Sequence, residues 1–208
     1  MNDWPTIPFR ETGAWLSGGT PRRNEPAFGG GDIPWIGTKD LKTFDLNDSS
    51  EFVTDAGVAA GTRVVEPGTV LFVVRGMSLA KEFRVGVATR RVAFNQDVKA
   101  IVPRSSMDGR FLAWFLRAKE RYVLDQCETA THGTKRLPLE RIDGMAVPCP
   151  PLPDQRRIAA ILDEADAVRR KRREALGLLD ALLRSAFLEM FGDPVTNPRG
   201  WPVVRLGD

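Results

Sequence analysis

Few residues of this 208-residue chain have the types and spacings that covalent chemistry needs. His132 is the only histidine, which rules out a site built from a histidine pair. Cys127 and Cys149 sit in no CxxC or Cys/His cluster, so neither a zinc site nor a disulfide framework is expected. A reducing compartment is then the default. There is no phosphate-binding P-loop, no Asn-Pro-Pro-Tyr or Asp-Pro-Pro-Tyr word to hold a target amine, and no Gly-rich FxGxG loop for a methyl donor. No Asp is followed by a convincing Glu-x-Lys on a strand, the pattern of a nuclease site. The chain reads as a binder without a bound metal or cofactor of its own. Its densest charge is Arg169-Arg170-Lys171-Arg172-Arg173, five cations that encircle a helix. They are either a solvated surface partnered by Glu164, Asp166 and Glu174, or a contact for an acidic partner or phosphate backbone.

The elements that position these residues fall into four stretches. Residues 1–147 read as an α+β (mixed α/β) globular domain, rich in turns because many of the 19 Gly and 15 Pro fall there. Thr69–Val74 is the clearest strand, a β-branched run after the turn Glu66-Pro67-Gly68. Val85–Ala88 and Val98–Val102 read as its neighbours, and Met145–Val147 as a short late strand. Asp108 offers an N-cap to a helix carrying Phe111, Leu112, Phe115, Leu116, Tyr122 and Val123 on one face. Ile33–Ile36 reads as a strand entry in which Pro34 argues against a central position. Residues 148–153 form a Pro-rich linker expected to be extended, with Asp154 as the N-cap of a helix beyond it.

Residues 154–191 read as one long helix. Small or apolar residues recur at Ile158, Ile161, Ala165, Val168, Ala175, Leu179, Leu182 and Ala186, with Arg172 filling one seam position. A second row, Leu162, Leu176, Leu183 and Met190, widens the stripe. The steps are those of a heptad seam, and Gly192 and Pro194 end it. At 1.5 Å per residue such a helix spans roughly 55 Å, more than a small domain covers with its own surface. The expectation is an antiparallel coiled coil with a partner helix, against the alternative of an amphipathic helix folded on its own domain. Residues 192–208 then restart the chain: Asn197-Pro198-Arg199-Gly200-Trp201-Pro202 echoes Asn2-Asp3-Trp4-Pro5. Such an order suggests a protein of two halves.

Net charge is +3, from 30 Lys+Arg against 27 Asp+Glu, with a pI near 9.1. That balance permits nucleic-acid binding without demanding it, and excludes a strongly acidic DNA mimic. Nothing at the amino terminus resembles a signal peptide and no apolar run reaches membrane length, so a cytoplasmic protein with no membrane partner is expected.

Several words together resemble the specificity subunits of type I restriction–modification systems. They are Gly18-Gly19-Thr20-Pro21, Asp32-Ile33-Pro34-Trp35-Ile36-Gly37-Thr38-Lys39-Asp40-Leu41, Arg75-Gly76 and Phe94-Asn95-Gln96-Asp97. The junction Pro150-Pro151-Leu152-Pro153-Asp154-Gln155-Arg156-Arg157-Ile158 and the later Phe191-Gly192-Asp193-Pro194 complete the set. The resemblance implies a target recognition domain that reads half of a split site in double-stranded DNA, followed by a spacer helix. The family's usual subunit has two domains and two antiparallel helices; this chain has one of each. It is therefore either a fragment or a half-subunit, and a homodimer is expected. Its dimerisation residues would be Ile158, Ile161, Leu162, Ala165, Val168, Leu176, Leu179, Leu182, Leu183, Ala186 and Met190. Methyltransferase (M) and restriction (R) subunits would be partners and would carry S-adenosylmethionine, ATP and magnesium. This chain would not be an enzyme.

On that reading, bases are met by polar residues on loops beside strands, since Arg pairs with guanine and Asn or Gln with adenine through two bonds. The candidates are Thr38, Lys39, Arg75, Ser78, Lys81, Arg84, Asn95, Gln96, His132, Thr134 and Lys135. Each has a plainer alternative. Arg75 pairs with a carboxylate at the strand end, Asn95 and Gln96 satisfy turn amides, His132 sits in a surface loop, and Lys39 pairs with Asp40. Two other classes stay open: a nuclease or methyltransferase with its recognition part, and a coiled-coil adaptor that binds a peptide.

Overall fold

The computed structural model describes residues 4–130 and 133–202. The chain divides into two units, Met1–Ala160 and Ile161–Asp208. In the first, β1 (Thr6–Pro8) and β2 (Gly13–Ser17) lead to a long strand β3 (Gly29–Ile36) and the short strands β4 (Asp45–Leu46) and β5 (Phe52–Val53). Helix α1 (Asp55–Gly61), β6 (Arg63–Val65), β7 (Val70–Val73), β8 (Val85–Ala88), β9 (Val92–Phe94) and β10 (Val98–Pro103) come next. Then come α2 (Gly109–Ala118), α3 (Glu120–Asp125), the hairpin strands β11 (Glu128–Thr129) and β12 (Lys135–Arg136), and β13 (Ala146–Pro148). The last helix, α4 (Leu152–Phe191), runs into the second unit.

Two larger sheets result. One has the order β2-β10-β7-β8-β4 and the other β5-β3-β9-β6. Val70–Val73 sits between two antiparallel neighbours with every side chain buried, so its unbroken β-branched and aromatic run is what a doubly covered strand requires. Phe111, Leu112, Ala113 and Leu116 of α2 cover β7 and β8. Asp108 caps that helix, its Oδ1 accepting from the Phe111 N–H at 3.0 Å. Phe9, Trp15, Phe72 and Phe83 form an edge-on aromatic group in the core. Each large apolar side chain buried there contributes about 1.5–3 kcal/mol. The final strand β13 pairs with β1, which ties the end of the unit to its beginning.

Three expectations are corrected. Pro34 does lie in an inner strand, since β3 has β5 on one side and β9 on the other. The strand tolerates it because Trp35 N–H serves the β5 side, through Glu51 O at 2.9 Å, and β9 pairing begins only at Trp35. The expected single helix after Asp108 breaks at Lys119, whose N–H bonds to both Phe115 O and Leu116 O; beyond the break Tyr122 is exposed. The long helix starts at Leu152, two residues before Asp154, which therefore is not its cap. Pro153 fits there because the first turn has no use for its missing donor.

Gln155 anchors that helix start. It is fully buried, its Nε2 donates to Pro150 O at 2.7 Å and Ser106 O at 2.9 Å, and its Oε1 accepts from Asp108 N at 2.8 Å. Ile158 packs partly against the domain's own core, so the apolar stripe begins as domain packing.

In the second unit α4 continues to Phe191, and its apolar row is open. Val168, Leu179, Leu182, Leu183 and Met190 are all at least half exposed. Arg169 and Arg170 pair with Asp166. After the helix, Gly192 adopts φ +80°, and Trp201 Nε1 donates to Phe191 O at 2.9 Å, serving a terminal carbonyl.

Candidate nucleic-acid interface

The end of β7 is the pivot of the site. Beyond Val73 the chain runs out as Val74-Arg75-Gly76, and three other segments attach to it. The N–H groups of Val74 and Arg75 reach Asp97 O, at 2.8 and 3.3 Å. Leu137 N–H reaches Val74 O at 2.9 Å, and Gly76 N–H reaches Lys135 O at 3.0 Å. Arg75 and Arg136 form an antiparallel bridge, so β12 lies along the segment like an added strand. Gly76 has φ +146°, and a Cβ there would meet Thr38 Cγ2 at 3.5 Å. The loop after β3 thus completes the group, held by Arg84 Nη1 donating to Thr38 O at 2.9 Å.

The Gly18–Gly19 word has its own geometric cause. A Cβ on Gly18 would stand 2.2 Å from the Phe94 carbonyl, and Gly19 N–H bonds to that same oxygen at 3.0 Å. Only glycine lets this segment pass so close to β9. Phe94 leads directly into Asn95, Gln96 and Asp97.

Most sequence-predicted residues meet here. Arg75 is exposed beside Asp97. Asp97 is held above the ordinary aspartate range by burial, an effect the Arg75 charge opposes. Asn95 Oδ1 accepts from Asp97 N–H at 3.0 Å, so it serves a turn amide. Lys135 Nζ donates to Thr129 Oγ1 at 2.9 Å, and Thr134 O accepts from Ala130 N–H at 2.7 Å, which shapes the hairpin. Lys81 is exposed at the end of the turn Met77–Ala80. Ser78 points inward, its Oγ buried without a hydrogen-bond partner among the described residues.

Others go elsewhere. Lys39 pairs with Glu51 at 2.7 Å, not with Asp40, whose carboxylate accepts from Gly37 N–H. Gln96 turns away to Thr20, whose hydroxyl donates to its Oε1. His132 lies outside the described residues. Sequence reasoning missed Arg136, next to Lys135 and paired through the backbone with Arg75; a two-residue strand offers no periodicity from which to find it. No group of His, Cys, Asp or Glu able to hold a metal occurs among the described residues.

The arrangement ties four segments to one another, with Arg75, Lys81 and Arg136 exposed on it. Its exposed guanidiniums and ammonium suit recognition of a polar, anionic partner.

Comparison with known proteins agrees. The chain is 26% identical over 168 residues to the type I restriction enzyme EcoR124I/EcoR124II specificity subunit of Escherichia coli, covering 80% of this chain and 41% of that protein. It is 25% identical over 227 residues to the type I restriction enzyme MjaIX specificity subunit of Methanocaldococcus jannaschii, covering 99% of this chain and 51% of that protein. The chain thus spans about half the length of the curated relatives it matches. A solved structure of a type I R-M system superposes with a TM-score of 0.69 at 21% identity, covering 89% of this chain and 44% of that one, which shows the shared fold. Residues 1–176 match the family described as "Type I restriction modification DNA specificity domain", and the chain belongs to that family.

Proposed function

We propose that this chain is a sequence-specific DNA-binding module of a type I restriction–modification system. It reads one half of a split target and directs methyltransferase and restriction subunits to it. The convergence of the segments around Thr38, Arg75-Gly76, Asn95 and Lys135 carries this reading. Strand-end loops fixed to one another by backbone bonds are preorganised, which suits base readout. S-adenosylmethionine, ATP and magnesium belong on the partner subunits, and the cytoplasm is the setting. No helix among the described residues is long and apolar enough to cross a membrane.

The exposed row from Ile161 to Met190 supports pairing with a second copy. Apolar surface left in water on this scale is unfavourable by about 25 cal/mol per Å². Two copies related by a dyad would present identical readers, so the site would be an inverted repeat with a set gap. Light scattering of the purified chain at tens of micromolar tests the pairing. A dimer is expected; a monomer rejects the homodimer. Incubation with DNA, magnesium and S-adenosylmethionine tests the enzyme alternative, and any turnover by the chain alone rejects the non-catalytic assignment.

A further inference from the structure

Away from the loop cluster, a second charged surface lies where the segment before β4 crosses α2. Phe44 stacks on Trp114 with ring centroids 4.4 Å apart. Two guanidiniums lie over this pair. Arg110 is 5.1 Å from the Phe44 centroid; Arg117 is 5.2 Å from Phe44 and 4.9 Å from Trp114. Arg110 is neutralised by Asp45 at 2.6 Å. Arg117 is held by the rings, and among the described residues no carboxylate lies within ion-pair distance of it. Of the two guanidiniums over the rings, Arg117 is thus the one without an anionic partner among the described residues, and an anion beside it would supply one.

Arg117 lines a cleft of about 170 Å³ with Lys42, Glu82, Arg84 and Glu120. Both carboxylates are occupied. Glu82 pairs with Arg84, and Glu120 Oε1 accepts from the Phe83 N–H at 2.8 Å. Lys42 is exposed. Arg84 lines this cleft and also donates to Thr38 O, so the cleft adjoins the loop cluster.

We propose that this cleft seats a backbone phosphate of the same duplex that the loop cluster reads, with Arg117 as its principal contact and Lys42 beside it. The proposal rests on the DNA-reading function put forward above. A guanidinium offers two parallel N–H groups to phosphate oxygens, and its stacking on Phe44 and Trp114 fixes it in advance, so little side-chain freedom is lost on binding. Such a contact sets register on the duplex without reading sequence. Continuity with the loop cluster favours a phosphate over an acidic protein surface.

The test is DNA binding by the full chain across a range of KCl concentrations, with a duplex recovered by selection and a random duplex. Arg117→Ala and Arg117→Met should each lose affinity by about three- to tenfold on both duplexes, and lower the slope of log K against log salt by about one. Arg117→Lys should keep the slope. Lys42→Ala, on an exposed side chain, should also lower it and does not depend on the ring stack. An unchanged slope in both Ala variants overturns the proposal, as does a loss confined to the selected duplex. Intact DNA binding with lost methyltransferase-subunit binding assigns the cleft to a protein and overturns it too. If the unaltered chain binds neither duplex, the functional reading itself fails, a result distinct from an unchanged slope.

Discussion

Gly76 donates its backbone N–H to the carbonyl of Lys135 at 3.0 Å, which joins the end of β7 to the β11–β12 hairpin. Its φ of +146° is one that side chains resist, while the space for a Cβ is ordinary, 3.5 Å from Thr38 Cγ2. Strain rather than collision is therefore what an alanine adds. Gly76→Ala is expected to destabilise the domain by about 1–3 kcal/mol, read as a lower urea midpoint. It should also weaken discrimination between DNA sequences, since turn and hairpin shift together. An unchanged midpoint and unchanged discrimination would contradict this.

Arg75 is exposed at the centre of the cluster, with Asp97 as its charged neighbour. Arg75→Ala should weaken binding to the selected duplex by about 1–3 kcal/mol if it makes a two-bond contact to a base, and affect a random duplex far less. Equal losses on both would assign Arg75 to phosphate.

Gln155 satisfies three backbone groups inside the protein: Ser106 O, Asp108 N and Pro150 O. Gln155→Leu keeps bulk but leaves them unpaired. The expected loss is about 2–4 kcal/mol in equilibrium denaturation, because each buried group abandoned forfeits its solvation. A Leu variant as stable as the parent would show that water replaces the amide.

Asp97 gives a pH signature. Burial raises its pKa in the folded state, so in the window between the unfolded and folded values the folded chain holds the proton more tightly. Its contribution to stability is most favourable below the unfolded value and declines as pH rises through the folded one. Asp97→Asn should remove this falling limb, so the stability difference between variant and parent grows as pH rises through that window. Denaturation at a series of pH values from acid to neutral checks it; a constant difference would contradict the assignment.

Much of this was legible in the sequence where the signal is local. The buried run at Val70–Val73, the Asp108 cap and the Gly192 stop each rest on a few adjacent residues whose chemistry admits one outcome. Two-residue strands such as β4 and β12 carry too little periodicity to read. Helix α1 is short and holds Gly57 and Gly61, so its cap, Thr54 Oγ1 accepting from Gly57 N–H at 3.0 Å, was its main mark. At the site, loop residues beside strands could be named from the sequence. That Lys39 would turn to Glu51 and Gln96 to Thr20, and that the backbone of Arg136 would pair with that of Arg75, depends on contacts between distant segments. The buried Gln155 and the Phe44–Trp114 stack are of the same kind.

Selection of bound sequences from random DNA, using the chain with a methyltransferase partner, bears most directly on the central claim. Enrichment of two identical half-sites in inverted orientation, separated by a constant number of unspecified bases, is the predicted result. Recovery of unenriched sequence, from a chain verified as folded, would contradict it.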